Sequence, residues 1–179
     1  FVDELSTWYL RRSRERLRED QNSVDVFGYV LARLAQLFAP FTPFFSEHMW
    51  HNLISETESV HHSDWPQFNE TFIDTELEEQ MDAIKKVVEK THALRSEAGI
   101  KVRQPLAKVT CFVTIKTPEK NVLDVLADEV NVKEIDWKHS TENLRVLLDT
   151  EVSEELKEEG EARELMRNIQ KLRKKAGLQ

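Results

Sequence analysis

Apolar residues recur at the three- and four-residue spacing of one-sided helices along most of the chain, and the pattern switches to strict alternation only after Gly99. The spacing predicts a helix over residues 1 to about 20, with Phe1, Leu5, Trp8 and Tyr9 on one face. Arg11, Arg14 and Arg18 fall opposite, while Arg12 and Arg16 extend the line of Leu5 and Trp8. A second helix over residues 24–38, capped by Ser23, is interrupted only by Asp25, Gly28, Arg33 and Gln36, which reads as a central helix covered on nearly all sides. A third, from Pro43 to about 54, is expected to bury Phe45, Met49 and Leu53 at i, i+4 spacing. Between these two lies a corner, Ala39-Pro40-Phe41-Thr42. Pro40 disfavours an α conformation at Ala39, Thr42 offers a capping hydroxyl, and Pro43 suits the first helical position. Phe38, Phe41, Phe44, Phe45 and Trp50 crowd this corner and are expected to anchor a bundle.

Residues 55–74 read as a loop pinned by Val60, Trp65, Pro66, Phe68 and Phe72. Thr75-x-x-Glu78 is a capping box for a long helix with Leu77, Met81, Ile84 and Val88 inside and Gly99 at its end, about 24 residues and about 36 Å. Beyond it Val109, Cys111, Val113 and Ile115 alternate with Lys108, Thr110, Phe112 and Thr114, which predicts a strand. A short helix over 117–129, strands over 133–138 and 144–148, and a closing helix over 161–175 complete the chain. In that last helix Ala162, Leu165, Ile169 and Leu172 are expected inside, and Arg163, Arg167, Gln170 and Lys174 outside. The expected fold is mainly α: a helical bundle over residues 1–98, then a small α+β appendage over residues 99–179 ending in a basic helix.

The net charge of −8 argues against a polyanionic partner, but its distribution argues otherwise. Residues 51–84 carry nine acids and no Lys or Arg; residues 85–108 carry seven bases against two acids; residues 161–179 carry six against two. Each basic patch supports two readings, a solvated face balanced by neighbouring carboxylates or a contact to phosphate.

One cysteine, Cys111, excludes an internal disulfide and a multi-cysteine zinc site, and is read as a buried small hydrophobe. His48 and His51 sit one turn apart, but the order is not HExxH and no third ligand stands near, so a metal is not expected, even with His61, His62 and Asp64 close behind. No Gly-rich phosphate loop, Ser–His–Asp spacing or distinctive carboxylate pair is present, so no catalytic residue is expected. No apolar run approaches the roughly 20 residues of a membrane span, no signal peptide opens the chain, and both ends look cut from a longer one; a cytoplasmic location is expected.

Five runs carry a family resemblance. FVDELSTWYLRRSRER (residues 1–16) resembles the opening of the anticodon-binding domain of isoleucyl-tRNA synthetases, with its Asp-x-Leu-Ser-x-Trp-Tyr-x-Arg-Arg-Ser-Arg pattern. Residues 37–50 are similar to that domain's Ala-Pro-Phe-x-Pro-Phe-x-x-Glu-x-x-Trp corner, and Ser59-Val60-His61 with Asp64-Trp65-Pro66 to the loop after it. Val102-Arg103-Gln104-Pro105-Leu106 with Glu129-x-Asn131-Val132-Lys133, and GEARELMRNIQKLRKKAGL (residues 160–178), resemble the appended C-terminal region. The valyl and leucyl enzymes share the proline corner but match the first run less well. The lone cysteine departs from members that end in a zinc finger, and the Arg103 to Leu106 and Asn131 to Lys133 runs point to the branch shared by archaeal, eukaryotic and some bacterial enzymes.

The resemblance implies the anticodon-binding piece of an isoleucine–tRNA ligase. The full enzyme uses ATP with Mg and isoleucine, while the catalytic and editing domains, partners in the same chain, lie outside this piece. It implies that the anticodon stem-loop of tRNA(Ile) is held by phosphate contacts and by stacking of unpaired bases. The residues nominated for RNA are Arg11, Arg12, Arg14, Arg16, Arg95, Lys101, Arg103, Gln104, Arg167, Gln170, Arg173 and Lys174, with the acidic 51–84 stretch turned away; no metal or membrane enters. Trp8 is placed in the core beside Leu5 rather than on a base. The rival expectation is a protein-contact bundle that only braces a synthetase, or the equivalent domain of a valyl or leucyl enzyme.

Overall fold

The computed structural model describes residues 1–177; Leu178, the end of the closing motif, and Gln179 lie outside the described residues. The chain divides into two compact units between Glu70 and Thr71.

In the first unit, helix α1 combines a π-helical segment Glu4–Tyr9 with α-helical segments Leu10–Ser13 and Arg16–Glu19. The Leu10 N–H donates to Leu5 O, five residues back, which widens the turn and advances the helical phase. The inner line therefore runs through half-buried Tyr9, Ser13 (1% exposed) and half-buried Leu17. It does not run through Arg12 and Arg16 as the α-helical spacing predicted: Arg12 is half-buried and Arg16 exposed. Phe1, expected inside, stands in solvent.

Helix α2 (Gln21–Phe38) starts three residues earlier than expected because Asp20, not Ser23, caps it. Its carboxylate accepts the N–H of Asn22 at 3.2 Å and of Ser23 at 3.0 Å, and takes the Ser23 hydroxyl as well. Only the second half of α2 is covered, through Ala32, Ala35 and Gln36; Val24, Val26, Tyr29, Leu37 and Phe38 face solvent, contrary to the expected near-complete burial. Ala39 remains helical (φ −52°, ψ −41°) despite Pro40, because Phe41 and Thr42 both donate their N–H groups to Phe38 O and hold the turn closed.

Helix α3 (Pro43–Leu53) follows with proline in its first turn, but the Thr42 hydroxyl donates back to Phe38 O at 3.3 Å instead of capping. Its buried residues are Ser46 and Trp50. The core is alanine-lined: Ala32, Ala35 and Ala39 against Trp50 and Val60, with Met49 alongside. Small side chains let the helices approach closely, and the phenylalanines are left outside. Phe44 is 91% and Phe41 79% exposed, and Phe38, Phe45 and Leu53 are exposed too, so of the five expected anchor aromatics Trp50 alone reaches the core. The loop that follows is pinned by Val60 alone of its five expected anchors; Trp65, Phe68 and Phe72 are exposed and Pro66 half-buried.

In the second unit, helix α4 (Thr75–Glu97) is capped by Asp74, one residue before the expected threonine, through the Leu77 N–H at 3.0 Å. Its inner stripe is Ile84, Val87, Val88, Thr91 and Arg95, while Leu77 is exposed. Gly99, at φ +69°, ends it as expected. Then come β1 (Leu106–Val113), α5 (Lys120–Val130), β2 (Val132–His139) and β3 (Arg145–Leu148), forming a sheet of order β2-β1-β3. The β1–β2 pair is parallel and joined through α5, and β3 lies antiparallel on the other side of β1. Because α4 packs on α5 and β3, it belongs with the sheet, and the boundary expected near residue 98 falls before it.

Val109, Cys111 and Val113 turn into the core with Ile84, Val87, Leu126 and Val130. Burial pushes the Cys111 thiol up to about 12, which keeps it an inert core atom at neutral pH. Lys108, Thr110 and Phe112 alternate onto the other face. Asn131, left-handed at φ 52°, ends α5. Helix α6 (Glu154–Lys175) is capped by Ser153 and starts seven residues earlier than expected, taking in the acidic run. Gly160 is its one buried residue, and Ala162, Leu165, Ile169 and Leu172, expected inside, are all exposed.

Candidate nucleic-acid interface

The first unit presents a cluster of arginines on α1. Arg11, Arg14 and Arg16 are exposed and Arg12 is half-buried. Arg11 is steadied along its own helix, with Nε donating to Thr7 O at 3.0 Å and the guanidinium 5.9 Å from the Trp8 ring centre. Arg16 donates to Ser13 Oγ at 3.1 Å. Trp8 is half-buried.

The second unit divides its nominated residues into two kinds. Arg95 does not face solvent: it is 1% exposed and its guanidinium holds four backbone carbonyls. These are Lys101 O at 3.2 Å, Gln104 O at 2.9 Å, Val130 O at 2.7 Å and Asn131 O at 2.9 Å. Burial lowers its pKa, but from a value so high that the charge stays. Arg95 is therefore removed from the RNA-contacting set. Gln104 is also occupied, its amide donating to Leu156 O at 2.7 Å and Pro105 O at 3.1 Å. Both act as ties that fix the loop carrying Lys101 and Arg103, whose side chains are exposed.

The same ties reach α6. Asn131 donates to Val102 O at 2.9 Å and accepts from Arg163 at 2.6 Å. Arg163 and Lys133 both grip Glu159, at 2.6 Å and 2.7 Å, and hold that carboxyl below the usual glutamate range, Lys133 contributing most. The first half of α6 is thus fastened beside the 101–104 loop, and Arg163 is spent on that fastening. Further along, Arg167, Gln170, Lys171, Arg173, Lys174 and Lys175 are exposed. Arg167 makes a weak ion pair to Glu164 at 3.4 Å with half its side chain in solvent. Within the second unit Lys101, Arg103 and the cationic half of α6 are exposed.

The family description "anticodon-binding domain of tRNA ligase" matches residues 1–111. The chain belongs to the anticodon-binding domain family of tRNA ligases. Its relatives include the isoleucine–tRNA ligase of Dehalococcoides mccartyi, 35% identical over 206 residues, covering 100% of this chain and 20% of that protein. That of Clostridium tetani is 40% identical, covering 75% of this chain and 14% of the protein. That of Streptomyces coelicolor is 38% identical, covering 74% and 13%. The chain thus spans a fifth or less of the length of these relatives. As an anticodon-binding domain it is mainly helical with a small three-stranded sheet, as its sequence implied.

Two features of this anticodon-binding domain escaped sequence reasoning. The burial of Arg95 was signalled by its position, since Ile84, Val88, Thr91 and Arg95 continue one stripe at four-, three- and four-residue steps. The fastening role of Asn131 had no such signal beyond its place after α5. Among the described residues no group of three or more potential ligands could hold a metal ion, and no helix is long and apolar enough to cross a membrane.

Proposed function

We propose that the chain is the tRNA-gripping module of an isoleucine–tRNA ligase, holding the anticodon stem-loop of tRNA(Ile) through Arg11, Arg12, Arg14 and Arg16 on α1, Lys101 and Arg103 in the fastened loop, and Arg167, Gln170, Arg173 and Lys174 on α6. The observation that carries this reading is the family match together with the cationic half of α6, which stands in solvent on a firmly tied base. Arginine and lysine heads at that spacing suit phosphates, and phosphate contacts supply most of the affinity in RNA recognition. In the whole enzyme, working in the cytoplasm, ATP with Mg and isoleucine are handled by the catalytic domain and not by these residues. The solvent-facing aromatics of α2 and α3 favour a second task for the first unit, packing against another domain of such a ligase.

The test is a salt titration of tRNA(Ile) binding to the chain, with a random RNA of equal length as reference. Several phosphate contacts give a log–log slope of several units, and Arg167→Glu with Lys174→Glu lowers that slope by roughly 1.5, about 0.7 to 0.9 per lost contact. Binding of tRNA that is unchanged by the double reversal, or equal for both RNAs, rejects the module and leaves the bracing role.

A further inference from the structure

The sheet of the second unit carries a feature that the α1 and α6 cations do not explain. On the solvent side of β1, Phe112 lies in one row between two cations. It is in register with Lys138 of parallel β2 and with Arg145 of antiparallel β3. Lys138 Nζ and the Arg145 guanidinium carbon each lie 5.7 Å from its ring centre. The next rows hold Asp136, Thr110 and Leu147, then Glu134 and Lys108. Leu147 is 45% exposed, and Lys138 and Lys108 keep half and over a third of their side-chain area in solvent.

An aromatic ring on the water side of a sheet buries nothing into this core. Val109, Cys111 and Val113 do that on the opposite face. The ring is half-buried with the two cations over it, and the part left open to solvent is a π surface flanked by positive charge. The two acids of the face are engaged: Glu134 binds Lys108 at 2.7 Å, and Asp136 binds Lys138 at 3.2 Å and Lys108 at 3.6 Å. Arg145 has no ion-pair partner among the described residues, so its charge is available to an anion.

We propose that this sheet face is a stacking platform for an unpaired RNA nucleotide, with the base on Phe112 and Leu147 and the adjoining phosphate on Arg145. It rests on the RNA-binding reading above and deepens it by assigning a place for an unpaired base. The Thr110 hydroxyl, one row along, faces the base edge or the 2′-hydroxyl. A planar base satisfies the ring and the guanidinium together; a duplex, whose bases are stacked on one another, does not. Lys138 steadies the far edge of the ring while held by Asp136.

The experiment measures fluorescence anisotropy of a labelled single-stranded heptaadenylate, a duplex RNA of the same length and a tRNA(Ile) transcript against the full 179-residue chain. Phe112→Leu keeps the apolar bulk and removes the π face. It weakens heptaadenylate binding by roughly 5- to 150-fold, the range for loss of one base–aromatic stack. Phe112→Tyr restores it, and duplex affinity does not move. Arg145→Gln, at an exposed edge-strand position, lowers the salt slope for heptaadenylate by about 0.7. Folding of each variant is checked by the Trp137 indole resonance, whose strand position pairs with Cys111. Equal heptaadenylate affinity for the parent and Phe112→Leu, or no binding by the parent, overturns the platform. If the α6 reversals still weaken tRNA binding and lower its salt slope in that case, the gripping module stands without it. If heptaadenylate binds through Phe112 while tRNA is not preferred over random RNA, the platform stands and the module falls.

Discussion

Replacing Arg95 tests whether that side chain serves the fold or the RNA. Its guanidinium is the donor to four carbonyls drawn from the 101–104 loop and the α5–β2 junction. Two of the four have a second donor, since Lys101 O accepts the Gln104 N–H at 3.0 Å and Asn131 O the Leu106 N–H at 3.1 Å. Gln104 O and Val130 O lose the Arg95 donor. Leaving each unsatisfied costs about 1–3 kcal/mol, so about 2–6 kcal/mol together. Relief from holding a charge out of water offsets part of this. The net expectation for Arg95→Ala is about 2–4 kcal/mol. At a urea m-value of about 2 kcal/mol/M the midpoint of the second unit falls by roughly 1–2 M. The Trp137 indole resonance follows that unit specifically, being its one tryptophan. Arg95→Lys sharpens the test. It keeps the charge an RNA would feel, but an ammonium with three donors on a point cannot span four carbonyls in a fork. A large loss of stability is expected from the lysine variant too. A midpoint within about 0.5 M of the parent for both variants, with weakened RNA affinity in Arg95→Ala alone, would refute the account.

Two further outcomes follow from local contacts. A Cβ on Gly160 would lie 2.4 Å from Gln104 Oε1 and 2.9 Å from its Cδ. Gly160→Ala therefore has to displace the Gln104 amide from Leu156 O, and the helix-propensity gain of about 1 kcal/mol is cancelled in the parent; in a Gln104→Ala background the same change should stabilise by about that amount, read by urea denaturation. For Glu47, burial works against the charged carboxylate, but hydrogen bonds from Ser59 Oγ at 3.0 Å, the Val60 N–H at 2.9 Å and His51 outweigh it and set its pKa below the ordinary glutamate value. A folded pKa below the unfolded one means stability that is fully present above the unfolded value and lost as pH falls through the folded one, so protection of the Val60 amide should decline on acidification below about pH 4, and Glu47→Gln should remove that dependence in hydrogen exchange.

The order of elements could be read from periodicity because each helix carries an i, i+3, i+4 stripe over at least two turns and β1 alternates cleanly. The hydrophobic pattern sets helix starts late wherever an acid or serine lies upstream of the first apolar residue, as at Asp20, Asp74 and Ser153, since capping depends on backbone geometry that the pattern does not encode. The outward phenylalanines of α3 show the larger gap. Apolarity says that a side chain prefers to leave water, not which surface will receive it, and here Ala32, Ala35 and Ala39 fill the contact first. For the candidate interface, counting cations found the exposed heads of α1 and α6. It could not separate Arg167 from Arg95, because charge in a sequence carries no burial. Phe112 was visible only as one position of an alternation, and its two flanking cations come from strands 26 and 33 residues further along.

The π turn near the start of α1 has a consequence for how such arginines are inherited. In an ordinary helix each residue is worth about 100° of rotation, so one residue gained or lost upstream would swing everything after it by more than a quarter circle. The Leu5-to-Leu10 bond marks where this backbone accommodates one residue beyond the α repeat. Which way Arg11, Arg12, Arg14 and Arg16 point is thus decided by a spacer ahead of them. A relative could re-aim the whole set by trimming one position there, without altering a single cation.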